Sequence, residues 1–308
     1  MGHKVLTLLV SAMLCGCGGA PASVTSDPFM QPKTVAKSDL LYVSDRMSGN
    51  VRFFEYPDGT LAGTLHGLTR PEGLCTDEAG HGWVGTYGSV FEYDHGGTSP
   101  ILVLNGLKHA VSGCSVDTAT GNLAVVTYGA AKSENGVFVF AGGRGKPTAY
   151  KNPSFTNYYS CSYDSYGNLY VSGRLHRRVP NNLLAELPAG GNQLQTIKLK
   201  HTFGGQAAVQ WDGKYLAVIN SGWLYQFVIE GSIGKQVGSS MLADSEHVKQ
   251  FVIYSAPSTS HQRTLIAPLY AANGEVLYWN YPNGGASTGK LPNNKFDYPY
   301  GVAMSVEK

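Results

Sequence analysis

Apolar and polar positions alternate along this chain in short runs, and one pattern of run, turn and run is repeated. Each copy has a short run of small or apolar residues, an aspartate, a turn with glycine and a second apolar run. Alternation with a period of two, bounded by turn residues, indicates two β-strands joined by a tight turn. The four copies are EGLCTDEAGHGWVGT (72–86), VSGCSVDTATGNLAVV (111–126), YYSCSYDSYGNLYVSG (158–173) and GGQAAVQWDGKYLAVI (204–219).

A second element, a turn followed by alternating apolar residues, lies between these copies. Its copies are GNVRFFEYPDG (49–59), GSVFEYDHGG (88–97), NGVFVFAGGRG (135–145), NNLLAELPAGG (181–191), SGWLYQFVIEG (221–231) and NGEVLYWNYPNGG (273–285). Beyond the N-terminal segment, no part of the chain has a sustained apolar stripe of helical period. Repeats of about 40 to 50 residues, built of four short strands, are typical of β-propeller blades.

The two ends of the repeated region complement each other. The segment SDLLYVSDRMSGN (38–50) matches the second strand of a repeat, and PYGVAMSVEK (299–308) matches the first. Pairing them would close a ring and remove open sheet edges. We therefore predict an all-β fold: a six-bladed β-propeller of four-stranded antiparallel blades, with the first blade closed by the N- and C-terminal strands. The predicted blades are 39–68 with 299–308, 69–108, 109–155, 156–202, 203–247 and 248–298.

The segment RPEGLCTDEAGHGWVGTYGSVFEYD (70–94) resembles the NHL repeat class of six-bladed propellers. The motif of that class runs Pro, any residue, Gly, two apolar residues, any residue and an Asp, then Gly, any residue and an apolar strand. The resemblance covers roughly residues 39–308. It implies an architecture and leaves the activity open, because such propellers include enzymes, sensors and scaffolds.

Composition narrows the class of partner. The chain has 308 residues, 43% of them hydrophobic, so it can bury a sizeable core. Only 14% of the residues are charged, and the net charge is +2, which argues against nucleic acid as the main partner. The 39 glycines and 19 tyrosines indicate a surface of turns and aromatic rings.

The N-terminus reads as an export signal. Lys4 precedes an apolar stretch from Val5 to Leu14, and small residues follow. The end of this stretch resembles a bacterial lipobox, so residues 1–16 are predicted to be a signal peptide of the lipoprotein type and Cys17 the lipidated residue. Residues 17–38 would be the lipidated cysteine and a flexible tether. The predicted location is exported and lipid-anchored, at the outer membrane or cell surface, with the lipid as the only membrane contact.

Three cysteines remain in the repeated region: Cys75, Cys114 and Cys161. They stand at or near the same register of the repeated strand, where each could pack as a small apolar residue. A disulfide between Cys114 and Cys161 would also be compatible with an oxidising compartment.

Loops at one face of the propeller supply the candidate binding residues. The face is predicted to form from loops that lead into each innermost strand and loops between the second and third strands. Tyrosine rings with amide and arginine donors suit a protein, a glycan or a small organic molecule. The candidates are Arg46, Glu72, Tyr87, Tyr128, Asn157, Tyr158, Arg174, His176, Gln206, Asn220, Tyr270 and Tyr300.

One enzymatic alternative is open. In gluconolactonase-like propellers, which this chain partly resembles, a Glu, two Asn and an Asp hold a divalent cation such as Ca²⁺. Glu72 matches the first of these positions and Asn157 could supply the second, whereas Gln206 occupies the third and no Asp is found at the fourth. The repeated aspartates Asp77, Asp117, Asp164 and Asp212 are expected to hold turns. The sequence therefore favours a non-catalytic binding module without a cofactor, with a metal-dependent lactone hydrolase as the alternative.

Overall fold

The computed structural model describes residues 1–3, 38–175, 182–255, 262–292 and 295–308. Residues Val35–Lys308 form one compact unit. Its described residues build β-sheets and two short 3-10 helices, Lys132–Glu134 and Ala141–Gly143. Within the same ranges, no helix is long and apolar enough to cross a membrane. Cys17, the rest of residues 4–37 and His176 lie outside the described residues.

The first sheet joins the two ends of this unit. Its strands are β1 (Leu40–Asp45), β2 (Asn50–Glu55), β3 (Leu61–Leu65) and, from the C-terminus, β25 (Pro299–Ser305). The order is β25-β1-β2-β3, and β25 pairs antiparallel with β1, with Leu41 opposite Met304. Every residue of β25 is buried. The pairing of the two terminal strands expected from the sequence is thus present.

The second sheet contains one strand that passes through a predicted blade boundary. Its strands are β4 (Leu74–Thr76), β5 (Gly82–Gly85), β6 (Tyr87–Tyr93), β7 (Pro100–Val116), β8 (Leu123–Tyr128), β9 (Val137–Phe140) and β10 (Thr148–Tyr150). The first part of β7 pairs with β6 and its last part with β8. The sequence predicted a break at residues 108–109, but the structure has one strand across it, with a register shift near Gly106, whose φ is +98°.

The remaining strands form a third sheet, a fourth sheet and a small ribbon. The third contains β11 (Asn157–Tyr163), β12 (Leu169–Arg174), β13 (Asn182–Leu187), β14 (Gln195–Leu199), β15 (Ala208–Trp211), β16 (Leu216–Asn220), β17 (Trp223–Glu230) and β18 (Ile233–Met241). The others contain β19 (Val252–Ser255), β20 (Arg263–Pro268), β21 (Ala272–Gly274), β22 (Val276–Tyr281), β23 (Gly284–Lys290) and β24 (Phe296–Asp297). The third sheet consists of two meanders that meet through a short parallel contact between β14 and β18. The fourth has the order β19-β20-β22-β23, and β21 pairs with β24.

The innermost strands surround a central cavity of about 200 Å³. Residues of β4, β7, β11, β15 and β25, together with the segment 250–252 that begins β19, line it. The hydrophobic core lies between neighbouring sheets. For example, Leu40 and Tyr42 of β1 belong to one buried cluster with Leu74 and Val84 of the next sheet. Apolar faces packed against each other around an axis leave the loops at the ends of the channel free to carry function.

The repeated aspartates hold turns, as the sequence predicted. In each copy Oδ1 accepts a hydrogen bond from the backbone N–H two residues later, at 2.9 Å for Asp77, 3.1 Å for Asp117, 2.8 Å for Asp164 and 2.8 Å for Asp212. This is the geometry of an Asx turn. The carboxylates therefore act locally at the turn between the first and second strands of each repeat.

Asp212 also ties two sheets together, and its replacement gives a testable prediction. Its side chain is fully buried and accepts hydrogen bonds from Gln226 Nε2 at 3.0 Å and from the Tyr281 hydroxyl. Burial on its own would raise the pKa of Asp212, but these hydrogen bonds and those from backbone N–H groups outweigh it and lower the pKa. We expect Asp212→Asn to lower the unfolding free energy by about 1–3 kcal/mol at pH 7.

The pH dependence follows from the direction of that shift. A lowered folded-state pKa stabilises the protein above the unfolded pKa of about 3.9, and this stabilisation is lost as the pH falls through the folded value. The gap between wild type and Asp212→Asn in urea denaturation should therefore shrink below about pH 4. Exposed Asp58→Asn is the control and should change the unfolding free energy by no more than about 0.5 kcal/mol. Equal stability of wild type and Asp212→Asn at pH 7 would contradict the assignment.

The cysteines pair differently from the possibility raised by the sequence. A disulfide joins Cys75 and Cys114, 39 residues apart on β4 and β7, and Cys161 is a free, buried thiol. Cys114 therefore does not pair with Cys161. The sequence could not decide which cysteine pairs with Cys114, because β4 and β11, the innermost strands on either side of β7, each carry a cysteine at a similar register. Cys161 packs among Ala124, Leu169 and Val171, which is the packing role predicted for it.

We expect Cys161 to be unreactive in the folded protein. Burial raises the pKa of its thiol far above the usual value, so the reactive thiolate is scarce. In a chain with Cys15→Ser and Cys17→Ser, a thiol reagent should titrate no cysteine under native conditions and one after denaturation without reductant. Three titrated thiols after denaturation would contradict the disulfide, and rapid native reaction would contradict the burial of Cys161.

Candidate functional site

A buried carboxylate stands at the mouth of the channel, in the loop that leads into β4. The side chain of Glu72 is fully buried, and its Oε1 accepts hydrogen bonds from Arg46 Nε and Arg70 Nε, each at 2.7 Å. Arg46 follows β1, and Arg70 lies two residues before Glu72. Charge-assisted bonds of this length are among the stronger contacts in proteins. Two sheets thus place two guanidinium groups on one oxygen atom.

The local backbone explains how Glu72 is held. Its backbone N–H donates to Gly85 O at 2.9 Å, and its carbonyl accepts from Ser44 Oγ at 2.7 Å. A Cβ at Gly301 would lie 2.1 Å from that carbonyl, so only glycine fits there. Arg70 has a φ of +56°, a conformation that non-glycine residues adopt rarely. Backbone strain of this kind often accompanies binding sites.

Two tyrosine hydroxyls complete the cluster around the arginines. Arg70 Nη2 donates to Tyr128 Oη at 2.8 Å, and the Tyr128 hydroxyl donates to Glu72 Oε1 at 3.2 Å. Arg46 Nη1 donates to Tyr270 Oη at 3.0 Å. Burial, followed by the nearby charge of Glu72, raises the pKa of Tyr128 to about 12. Burial alone lowers the pKa of each arginine, but Glu72 outweighs it and the pKa is raised, so both stay charged.

Aromatic rings line the same mouth. The Tyr270 ring lies 5.1 Å from Tyr298 and 5.7 Å from Tyr300, centroid to centroid, and Tyr128 lies 6.3 Å from Tyr159. Tyr300 is buried, and its hydroxyl accepts from Gln206 Nε2 at 2.9 Å. Burial and then the charge of Glu72 raise the pKa of Tyr300 well above its usual value. Tyr128 and Tyr300 are therefore neutral phenols.

A third cation faces this wall from the loop before β19. Lys249 Nζ lies 5.2 Å from the centroid of the Tyr270 ring. Burial lowers the pKa of Lys249, and the charge of Glu72 partly offsets the effect. Among the described residues, its ammonium has no hydrogen-bond partner. In the described part of the chain, Glu72 is thus the single carboxylate of the cluster, beside Arg46, Arg70 and Lys249, and the mouth has an excess of positive charge.

The structure brings together half of the residues proposed from the sequence. Arg46, Glu72, Tyr128 and Tyr270 form one hydrogen-bonded cluster. Gln206 and Tyr300 form the adjoining pair. These six residues lie together at the channel mouth, although the sequence did not indicate that Glu72 is neutralised by arginine.

The other proposed residues have different surroundings. Tyr87 is exposed at the start of β6, and Arg174 is half-buried at the end of β12. Asn157 accepts from Asn135 Nδ2 at 3.1 Å, and Asn220 donates to the Gly204 carbonyl at 2.5 Å, so both brace loops. Tyr158 belongs to the core.

Tyr158 needs a correction. Its side chain is buried in a cluster with Phe155 and Leu169, and its hydroxyl accepts from the backbone N–H of Asn152 at 2.9 Å. The register of β11 shifts between Tyr158 and Ser160, and it is the ring of Tyr159 that contacts Tyr128 of the cluster. Tyr158 was predicted at the ligand face, and the structure places it in the core instead.

Arg70, Lys249 and Tyr159 were not among the proposed ligand contacts. One signal could have revealed Lys249. Aligning HVKQF (247–251) with RPEGL (70–74) places Lys249 at the position that Glu72 has in its own repeat. A lysine at this position is opposite in charge to the carboxylate expected of a cation site.

The glutamate site does not fit a divalent cation. Hard cations need several oxygen ligands with little competing positive charge, and the Oε1 atom of Glu72 already accepts from two guanidinium groups. Asn157, the second weak metal candidate, contacts Asn135 instead. Among the described residues, Asp77, His81 and Glu92 are close enough to share a metal ion, but they lie at the opposite turn. Their polar groups already have partners: His81 contacts both Asp77 and Glu92, and Arg144 pairs with Glu92.

Comparison with solved structures identifies the fold. A chain in the crystal structure of a nidogen/laminin complex matches with a TM-score of 0.68 and 12% identity, covering 87% of this chain and 99% of that one. A functionally unknown protein from Desulfotomaculum acetoxidans matches with a TM-score of 0.58 and 9% identity, covering 88% and 100%. No family model matches the chain, and no curated protein is similar to it in sequence. The chain is a β-propeller.

Proposed function

We propose that this chain is an exported, lipid-anchored, six-bladed β-propeller that acts as a non-catalytic binding module through the loops around Glu72. The observation that carries the proposal is the neutralised carboxylate. Glu72 is fixed by Arg46 and Arg70, so it orders two arginines whose other donors remain available to a partner. A fixed set of donors beside aromatic rings is typical of a binding surface.

The blade count of six rests on the central cavity and on the strand pairing. Six short segments, one from each sequence repeat, line that cavity. The long strand β7 serves two blades, as the outer strand of one and the inner strand of the next. The pairing of β25 with β1 supports closure of the first blade by the two ends of the chain. The NHL-like motif in residues 70–94 supports the same count.

The lactone hydrolase loses support, since its mechanism needs a cation that polarises a carbonyl. The carboxylate that would hold the cation is occupied by arginines. Tyr128 and Tyr300 stay protonated near neutral pH because their pKa values are raised, so they are poor general bases. The binding function is therefore preferred.

The anchor can be tested separately from the propeller. Lipidation of Cys17 predicts that Cys17→Ala releases the protein from membranes into the soluble fraction of bacterial cells. Cys15→Ala is the matched control, because it changes a neighbouring cysteine that precedes the proposed cleavage site, and it should leave the protein in the membrane fraction. Release by both substitutions, or by neither, would contradict lipidation at Cys17.

The binding surface can be tested by photo-crosslinking in cells that export the full chain. A photoreactive residue at position 87 lies beside the loop that carries Arg70, because Tyr87 N donates to Thr69 O at 2.9 Å. Position 166 is the matched control: Tyr166 is 78% exposed, at the turn on the opposite face. Intact-mass measurement should show an adduct of a small or large partner from position 87 and none from position 166. Equal adducts from both positions, or none from position 87, would contradict the proposal.

A further inference from the structure

The ligand chemistry can be inferred from what the channel mouth lacks, and this step rests on the proposed binding function. Arg46 uses Nε and Nη1, and Arg70 uses Nε and Nη2, in contacts within the cluster. Among the described residues, Arg46 Nη2 and Arg70 Nη1 have no hydrogen-bond partner. The arginine side chains keep 18% and 35% of their surface exposed. Solvent, or a ligand in its place, therefore reaches both guanidinium groups.

Lys249 strengthens the case for an anion. A half-buried ammonium with no hydrogen-bonding partner among the described residues is costly, and burial lowers its pKa accordingly. An anion beside it would supply the missing counter-charge and favour the protonated form. Together with the two arginines, Lys249 leaves the cluster two positive charges in excess of Glu72. The site therefore prefers a negatively charged ligand.

A cavity beside Lys249 gives that ligand room. It has a volume of about 380 Å³ and is lined by both Gln206 and Lys249. Small-molecule sites start at about 300 Å³. Its other walls include Gly204, Ser221 and exposed Glu246, which offer backbone and hydroxyl groups and a carboxylate acceptor. With Glu246 counted beside Glu72, Arg46, Arg70 and Lys249 still leave one positive charge in excess. Such walls favour a ligand that carries hydroxyl groups.

An unfilled acceptor points in the same direction. Glu72 Oε2 is buried and has no hydrogen-bond partner, whereas Oε1 accepts from several groups. A buried carboxylate oxygen normally receives a donor. The oxygen itself has less than 1 Å² of exposed surface, so a ligand hydroxyl would supply that donor only after a neighbouring side chain moves. A ligand that has only an anionic group would leave the oxygen unpaired.

We propose that the channel mouth binds a small hydroxylated carboxylate, the chemistry of an acidic sugar. The carboxylate lies against Lys249 and the free guanidinium donors, the hydroxyls reach acceptors in the cavity and on Glu72, and the sugar ring stacks on the tyrosine wall. Tyrosine faces are well suited to such contact.

Calorimetric titration of the full chain, purified in detergent, tests this with three probes. Glucuronate carries both features, acetate has the charge without the hydroxyls, and glucose has the hydroxyls without the charge. We expect glucuronate to bind with a dissociation constant below about 1 mM, and acetate and glucose at least about tenfold more weakly. Equal binding of glucuronate and acetate, equal binding of glucuronate and glucose, or no glucuronate binding would each overturn the inference.

A variant adds a second test. Lys249→Met keeps the length of the side chain and removes its charge. It should weaken glucuronate binding at least about tenfold, so that glucuronate no longer binds more tightly than glucose. Unchanged glucuronate affinity in a folded Lys249→Met protein would overturn the role of Lys249. The comparison of probes on wild type stands even if this variant does not fold. Failure with all probes, together with a persistent adduct at position 87, would sink the ligand class and leave the binding function intact.

Discussion

Deletion of residues 299–308 should give a protein that does not fold cooperatively. The deletion removes β25, whose residues are all buried and whose backbone pairs with β1. Val302 and Met304 would be lost from the cluster that joins the first and fourth sheets. The edge of β1 would then expose unpaired backbone groups, which template aggregation. Thermal circular dichroism should show no single transition for this variant.

A shorter deletion separates the role of the strand from that of the chain end. Removal of residues 306–308 takes away only exposed residues that follow β25. We expect this variant to keep one cooperative transition close to that of wild type. If the longer deletion also melted in one transition near the wild-type temperature, closure of the first sheet by β25 would not be needed for folding.

Glu72→Ala has the second largest expected effect. It leaves two guanidinium groups side by side without the carboxylate that neutralises them. Loss of one partner from a buried ion pair costs about 3–5 kcal/mol, and we expect the lower end because both arginines are partly exposed. Denaturant titration at pH 7 measures the loss.

The matched control is Glu275→Ala. Glu275 Oε1 lies 2.7 Å from Lys290 Nζ, the same distance as in the Glu72 pairs, but both side chains are largely exposed. Exposed pairs contribute only about 0–1 kcal/mol. Equal loss of stability in Glu72→Ala and Glu275→Ala would show that burial of Glu72 has no energetic weight.

Much of the fold could be predicted because its signals are local and repeated. An aspartate that accepts from the N–H two residues later gives each turn the same short motif, as in Asp164. The incomplete repeats at the two ends predicted the pairing of β25 with β1. The boundary in β7 could not be predicted, since a strand that continues from one sheet to the next has the same alternation as two strands.

The site was predicted only in part, for a physical reason. Its side chains come from loops far apart in sequence, and sequence position identifies the loop but not the partner. Glu72 was considered as a cation ligand because it stands where gluconolactonase-like propellers have a glutamate that holds the cation. Only the folded structure shows that Arg46 and Arg70 both donate to its Oε1 atom. The partner of Cys114 was ambiguous in the same way, because Cys75 and Cys161 both stand near its register in the repeats on either side.

The central claim is that the arginine-rich channel mouth binds the partner of this propeller. The most direct measurement is the photo-crosslinked adduct from position 87, compared between the wild-type background and a background with Arg46→Gln and Arg70→Gln. We predict that the adduct is abundant in the first and largely absent in the second, compared at equal export and at a temperature at which both proteins are folded, since loss of both arginines leaves the buried Glu72 unpaired and lowers the melting temperature. An adduct of the same mass and yield in both backgrounds would contradict the account.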